Sequence, residues 1–240
     1  MLRLHDPRTG RLEEPPRAEV LRVHVLAGTD LRGLVVADLL RRLADRRGRR
    51  VLLSGEAGDA GAGTGAGADA GGGADTGGGA DAGVRGDLSE YGVGPLYPDA
   101  PERADLYVAP RAHEADAWTL VVPPASGSFE GDPLAVRLAF LSAHYREPLH
   151  ADVEAAEARL RGWRADVAEW ANAPGRPMHR PSAAEAEAAL ADDLDTPAAL
   201  AVLDRIASDA SLAPGAKLET FIHLDLLLGL NVVADIGRTG

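Results

Sequence analysis

Val20-Leu-Arg-Val-His-Val-Leu26 is followed by the turn Gly28-Thr29-Asp30. Leu31, Leu34, Val35, Leu39 and Leu43 then recur at three- and four-residue steps. The first run has the β-branched and long apolar residues of a strand, and the second has the spacing of one helix face. Thr29 or Asp30 can cap the helix, Gly48 stops it, and Val51-Leu-Leu53 opens another strand. A strand, a helix and a strand in this order form the opening crossover of a parallel, doubly wound sheet.

Residues 55–83 interrupt that pattern with 13 of the 28 glycines and a Gly-Gly-Gly-Ala-Asp unit that repeats every six residues. No large apolar side chain lies in the tract to offset the entropy of ordering its backbone, so a disordered linker is expected over most of residues 55–103. Calcium-binding Gly-Asp repeats use a nine-residue unit with a regular apolar position, which this tract lacks. Beyond the linker, Ala104-Asp-Leu-Tyr-Val-Ala-Pro110 and Trp118-Thr-Leu-Val-Val-Pro123 read as two more strands with a turn between them. They bring the sheet to about four strands. His113 and Glu114 in that turn read as surface residues, since no third metal ligand can be named.

From Asp132 the pattern is helical throughout. Pro133 suits a first helical turn, and Leu134, Val136, Leu138, Leu141 and Tyr145 give an apolar face. Leu160, Trp163, Val167 and Trp170 form one stripe of the next helix. Ser182 with Glu185 matches a capping box after a Pro-containing connection. Asp195 or Thr196 caps a helix continued by Leu200, Leu203 and Ile206, and Lys217 to Leu230 is a final apolar helix. The expected architecture is α/β: a reduced Rossmann-like sheet domain (residues 1–54 and 104–131), the linker, and an α-helical bundle (residues 132–240).

Composition narrows the chemistry. Without cysteine the chain has no disulfide, no thiolate nucleophile and no Cys-containing zinc site. Lys217 is the single lysine among 25 basic residues, so no Gly-Lys pair exists for a Walker-type phosphate loop. A net charge of −12 weighs against tRNA binding. No apolar run is long enough to span a bilayer and no cleavable leader is evident, so a cytoplasmic protein with no membrane partner is expected. Arg41, Arg42, Arg46, Arg47, Arg49 and Arg50 cluster where the first helix ends. They read either as cations favourable to the helix dipole or as a patch for phosphate or an acidic protein partner. The lack of interleaved aromatics favours the dipole reading.

Two stretches carry a family resemblance: Asp132-Pro-Leu-Ala-Val-Arg137-Leu-Ala-Phe-Leu-Ser-Ala-His144-Tyr145-Arg146-Glu-Pro148-Leu, and Asp192-Asp193-Leu-Asp195-Thr196-Pro197. In this order they resemble the region after the catalytic domain of cysteinyl-tRNA synthetases and of the related ligase that joins cysteine to glucosaminyl-inositol in mycothiol synthesis. The opening Met1-Leu-Arg-Leu-His-Asp-Pro-Arg-Thr-Gly-Arg-Leu-Glu-Glu-Pro15 and the ending Leu226-Leu-Leu-Gly-Leu230 are similar to that class I family as well.

The resemblance implies ATP-dependent activation of cysteine, with a zinc-binding cysteine, an H-I-G-H motif and a K-M-S-K-S loop. Here Leu26 stands where the thiolate is expected, and the turn from Gly28 to Leu31 is too short for the histidine motif. Ser126-Gly-Ser-Phe-Glu-Gly131 replaces the lysine loop. The resemblance also implies that His144, Tyr145 and Arg146 form a retained pocket wall, with core packing as the plainer reading. Asp192, Asp193 and Asp195 read as capping groups in preference to a magnesium site. The expectation is a pseudo-synthetase serving as a binding or regulatory module, with no zinc or other cofactor and no catalytic residue. A divergent ATP-dependent cysteine ligase and a remnant without function are the alternatives, and only the ligase would bind ATP.

Overall fold

The computed structural model describes residues 1–55, 87–98, 101–113 and 116–237 of the 240-residue chain. Most of the glycine-rich linker lies outside the described residues, as does Glu114.

The opening crossover forms as its pattern dictates. β3 (Val20–Val25) and β4 (Arg50–Gly55) pair in parallel from Val20 opposite Arg50 to Val25 opposite Gly55, joined through α1 (Leu31–Arg46). Asp30 caps α1 and Gly48, at φ +74°, turns the chain away from its end. Before them, β1 (Leu4–Asp6) and β2 (Arg11–Glu13) make a short antiparallel hairpin. β5 (Leu106–Ala109) joins the other side of β3, and β6 (Thr119–Val121) pairs with β5. The pairings of this four-stranded sheet, in the order β4-β3-β5-β6, are all parallel. A parallel pair usually needs a crossover of a dozen or more residues. The β5–β6 pair manages with residues 110–118 because strands this short ask for a return of only about 10–13 Å.

Residues 87–98 depart from the linker reading. A 3₁₀ turn at Leu88–Tyr91 buries Tyr91, Val93 is buried beside it, and Tyr97 pairs with the edge of β4 through Leu53 and Gly55. Leu88, Tyr91, Val93 and Leu96 supply the apolar side chains that residues 55–83 lack.

After β6, β7 (Ala125–Ser126) and β8 (Leu149–His150) form a two-residue parallel pair that brackets α2 (Pro133–Leu141). α3 (Val153–Trp170), α4 (Arg180–Ala191), α5 (Thr196–Ser208) and α6 (Pro214–Leu228) complete the helical region. Three of the scarce aromatics cluster here: Phe221 meets Trp170 edge-on at 5.1 Å and Trp163 at 6.0 Å. α4 begins two residues before the expected capping box. His179 is its cap residue and Pro181 sits in its first turn, while Ser182 is buried inside that turn with its hydroxyl 2.9 Å from His179 Nδ1. Proline fits the first turn because its missing N–H has no intrahelical partner to lose, and this moves the start forward.

One continuous core runs from Leu2 through the sheet and α1 to Val232. α1 packs against β3, β4, β5, α2 and α6, so it is buried on nearly every side instead of along one stripe. Its polar residues on the inside therefore need internal partners.

Candidate functional site

In an open parallel sheet the natural ligand position is outside the carboxyl ends of the strands, where the strand order switches direction. Here that place lies between β3 and β5, beside the N-terminus of α1. Leu26 N–H donates to Val108 O at 3.0 Å, and Gly28 at φ +79° redirects the chain into the helix. Thr29 Oγ1 donates to Leu26 O at 2.7 Å. Asp30 then uses both carboxylate oxygens: Oδ1 accepts from Gly33 N–H at 3.1 Å and Oδ2 from Ala125 N–H at 2.9 Å. The helix terminus that attracts phosphate in nucleotide-binding sheets thus holds a carboxylate of its own.

Arg32 fills the space behind Asp30. It is fully buried, and its guanidinium donates to Pro123 O at 2.9 Å, Glu147 O at 2.8 Å and His144 O at 3.0 Å. Burial lowers its pKa, against the raising effect of Asp30 and Glu147. One arginine therefore ties α1 to the segments after β6 and after α2. The first turn of α1 is packed tightly against Thr29: a Cβ on Gly33 would lie 2.2 Å from the Thr29 methyl.

The two quoted motifs meet on Asp193. Its Oδ1 accepts from His5 N–H and from Tyr145 OH, both at 2.7 Å. Arg146 Nη2 forms an ion pair with Oδ2 at 2.8 Å, and His144 Nε2 lies 3.6 Å from the same oxygen. His144 and Tyr145 also stack at 4.9 Å. Burial and the adjacent Asp193 charge raise the Tyr145 phenol well above its ordinary range, so it stays protonated and donates. Asp193 and Leu194 both adopt left-handed backbone, at φ 60° and 54°, which side chains other than glycine seldom do. The surrounding contacts hold this strained turn in place. The three residues expected to wall a pocket thus converge on one carboxylate. Asp192 pairs instead with Arg3 at 2.7 Å, and Asp195 caps α5 through Ala198 N–H at 3.1 Å, so the three aspartates serve separate partners.

The arginine cluster is likewise divided. Arg41 and Arg42 turn inward to Asp38, at 2.5 and 2.7 Å, and Arg137 of α2 reaches the same carboxylate at 2.9 Å. Gly94 N–H adds a fourth donor at 3.1 Å. Asp38 and Arg137 are both 0% exposed. Burial alone would raise the Asp38 pKa, but the charges of Arg137 and Arg42 and the hydrogen bonds from Arg41 and Arg42 outweigh it and hold the group at about 2. Arg137 also donates to Leu228 O at 2.6 Å and Tyr91 O at 3.1 Å, and Arg42 to Gly92 O at 2.6 Å. Arg49 bonds the carbonyls of Pro15 and Pro16, while Arg50 is exposed at the start of β4. Arg46 and Arg47 face the helical region, where Arg46 meets His223 Nδ1 at 3.0 Å and Arg47 donates to Glu187 O at 3.2 Å.

Sequence reasoning passed over Arg32, Asp38 and Arg137, although two of them left a signal. Asp38 falls three and four residues after Val35 and Leu34, and Arg137 lies three after Leu134 and four before Leu141, so each charge sits on an apolar stripe. In place of the lysine loop, Ser126 Oγ donates to Leu149 O at 3.2 Å and lies 3.2 Å from His150 Nδ1, exposed to solvent. His113 is exposed and packs on Tyr107 at 5.1 Å. Among the described residues no three His, Cys, Asp or Glu side chains gather as a metal site, and no helix is long and apolar enough to cross a membrane.

No protein-family model matches the chain. It is 46% identical over 107 residues to the L-cysteine:1D-myo-inositol 2-amino-2-deoxy-alpha-D-glucopyranoside ligase of Thermobifida fusca, covering 41% of this chain and 25% of that protein. The chain resembles the cysteine ligases. The ligase of the same name from Streptosporangium roseum is 41% identical over 111 residues, 43% of this chain and 26% of the relative. That from Streptomyces avermitilis is 48% identical over 80 residues, 32% and 19% respectively. The matched part of the chain thus spans at most about a quarter of these ligases' length.

Proposed function

We propose that this ligase-related chain is a binding or regulatory module that does not activate cysteine, working in the cytoplasm with a protein partner. The observation that carries the reading is the Asp30 carboxylate seated on the α1 terminus, with buried Arg32 behind it. A fixed anion there opposes the approach of a nucleotide phosphate. The sequence supports the same reading by lacking cysteine, the histidine motif and the lysine loop. Removing one transition-state contact typically costs about 10²–10³-fold in rate, and several would be missing together. We propose accordingly that the chain needs neither zinc nor ATP.

Identity of 40–48% to the ligases favours a second reading, a divergent ATP-dependent cysteine ligase. Cysteine-dependent exchange of pyrophosphate into ATP, with magnesium present, decides between them. The module reading expects no exchange above a no-protein control and no ATP-induced rise in melting temperature. Exchange above that control overturns it.

A further inference from the structure

We propose that the cleft at the C-terminal end of α1 binds a phosphoryl-bearing small molecule, with Arg46, Arg47 and Arg180 as its recognition groups. This cleft lies between α1, α4 and α6, has a volume of about 420 Å³ and is open to solvent, with Leu43 and Leu227 among the apolar residues lining it. On a chain of net charge −12, three guanidiniums share it with a single carboxylate, that of Glu187.

Neighbouring groups hold Arg46 and Arg47 in place. His223 Nε2 is 2.7 Å from Glu187 Oε1, and its Nδ1 is 3.0 Å from Arg46 Nη2. A neutral imidazole satisfies both contacts, donating from Nε2 to the carboxylate and accepting at Nδ1 from the guanidinium. The Glu187 charge is thereby engaged on the far side of His223 from Arg46. Arg47 spends one N–H on Glu187 O, and the Arg180 guanidinium makes no hydrogen bond among the described residues. Each guanidinium has five donors in a fixed fork, the geometry that takes phosphoryl oxygens two at a time. The apolar lining accommodates the uncharged body of the ligand, and the volume is that of a small-molecule site. No Phe, Tyr or Trp lines the cleft to stack a base, and the imidazole of His223 is engaged with Glu187 and Arg46, which argues against a nucleic acid.

The site is independent of the reading at the other end of α1. Sixteen residues of helix separate the two ends by about 24 Å. Either proposal can fail while the other stands.

Calorimetric titration of the full chain with pyrophosphate at constant ionic strength tests the cleft. Saturable binding is expected, weakened about tenfold or more by Arg180→Gln and by Arg46→Gln and unaffected by Arg111→Gln outside the cleft. Arg180→Gln removes no hydrogen bond to any of the described residues, so an unchanged melting temperature is expected and verifies that the variant is folded. Absence of saturable binding up to about 10 mM, or equal weakening by Arg111→Gln, overturns the proposal. Equally tight binding of sulfate overturns its phosphoryl specificity.

Discussion

Asp38→Asn removes one charge from the centre of the molecule and nothing else of comparable size. In the native protein that carboxylate takes Arg41, Arg42, Arg137 and the Gly94 N–H together, with itself and Arg137 out of contact with water. An asparagine offers one acceptor oxygen and places an NH₂ against a guanidinium, leaving Arg137 buried with only the carbonyls of Leu228 and Tyr91. Breaking a buried pair by neutralising one partner costs about 3–5 kcal/mol, and that loss is expected at pH 7.

The same site sets a pH dependence. The Asp38 pKa falls from an ordinary 3.8 to about 2 in the folded protein, because the flanking arginines outweigh burial. Its stabilisation, about 2.5 kcal/mol at 1.36 kcal/mol per pKa unit, is complete above the unfolded value near 4 and is lost as pH falls through 2. Urea denaturation of the wild type and Asp38→Asn, followed by circular dichroism between pH 7 and pH 2.5, isolates this group from the other carboxylates. The gap between the two proteins is expected to narrow as the pH drops below about 4. A gap under about 1 kcal/mol at pH 7, or one that stays constant with pH, refutes the reasoning.

Tyr145→Phe deletes the hydroxyl that donates to Asp193 and is expected to cost about 1–2 kcal/mol, read as a lower urea midpoint; an unchanged midpoint shows that the clasp adds nothing to stability. Gly92→Ala meets two obstacles, a φ of +68° and a Cβ placed 2.8 Å from Gly229 O, so a loss of about 2 kcal/mol or more is expected in thermal melts. A variant as stable as the parent shows that the 3₁₀ turn and the end of α6 can move apart freely.

Local patterns made the sheet and the helices legible. Val20 to Leu26, the steps from Leu31 to Leu43, and Pro133 behind Asp132 each describe an element through its own period and cap, and each element formed as they indicate. Helix boundaries were less legible: α4 starts early because Ser182 fits a capping box equally well as a cap or as a first-turn residue, α2 stops at Leu141 short of Tyr145, and α6 runs over Pro214–Leu228 instead of Lys217 to Leu230. The connections between elements were much less visible. Arg32 is an ordinary helix residue by propensity, and its role depends on three carbonyls supplied by residues 123, 144 and 147. The arginine run from 41 to 50 looked like one surface because a helix projection cannot show that Asp38 draws two of its members inward. The contact between Tyr145 and Asp193 spans 48 residues, and neither motif alone says that they touch.

The attachment of the first strand to Asp193 also governs the order in which the chain can fold. His5 hydrogen-bonds a residue 188 positions later, and Arg3 exchanges backbone hydrogen bonds with Ala191 and Asp193. During synthesis at about 5–20 residues per second, residues 1–13 wait roughly 10–40 s for this docking surface to be made. The hairpin meets β6 and Trp118 earlier, but its bonds to Ala191 and Asp193 close only once α4 has been made, so that side of β1 is among the last surfaces to gain protection.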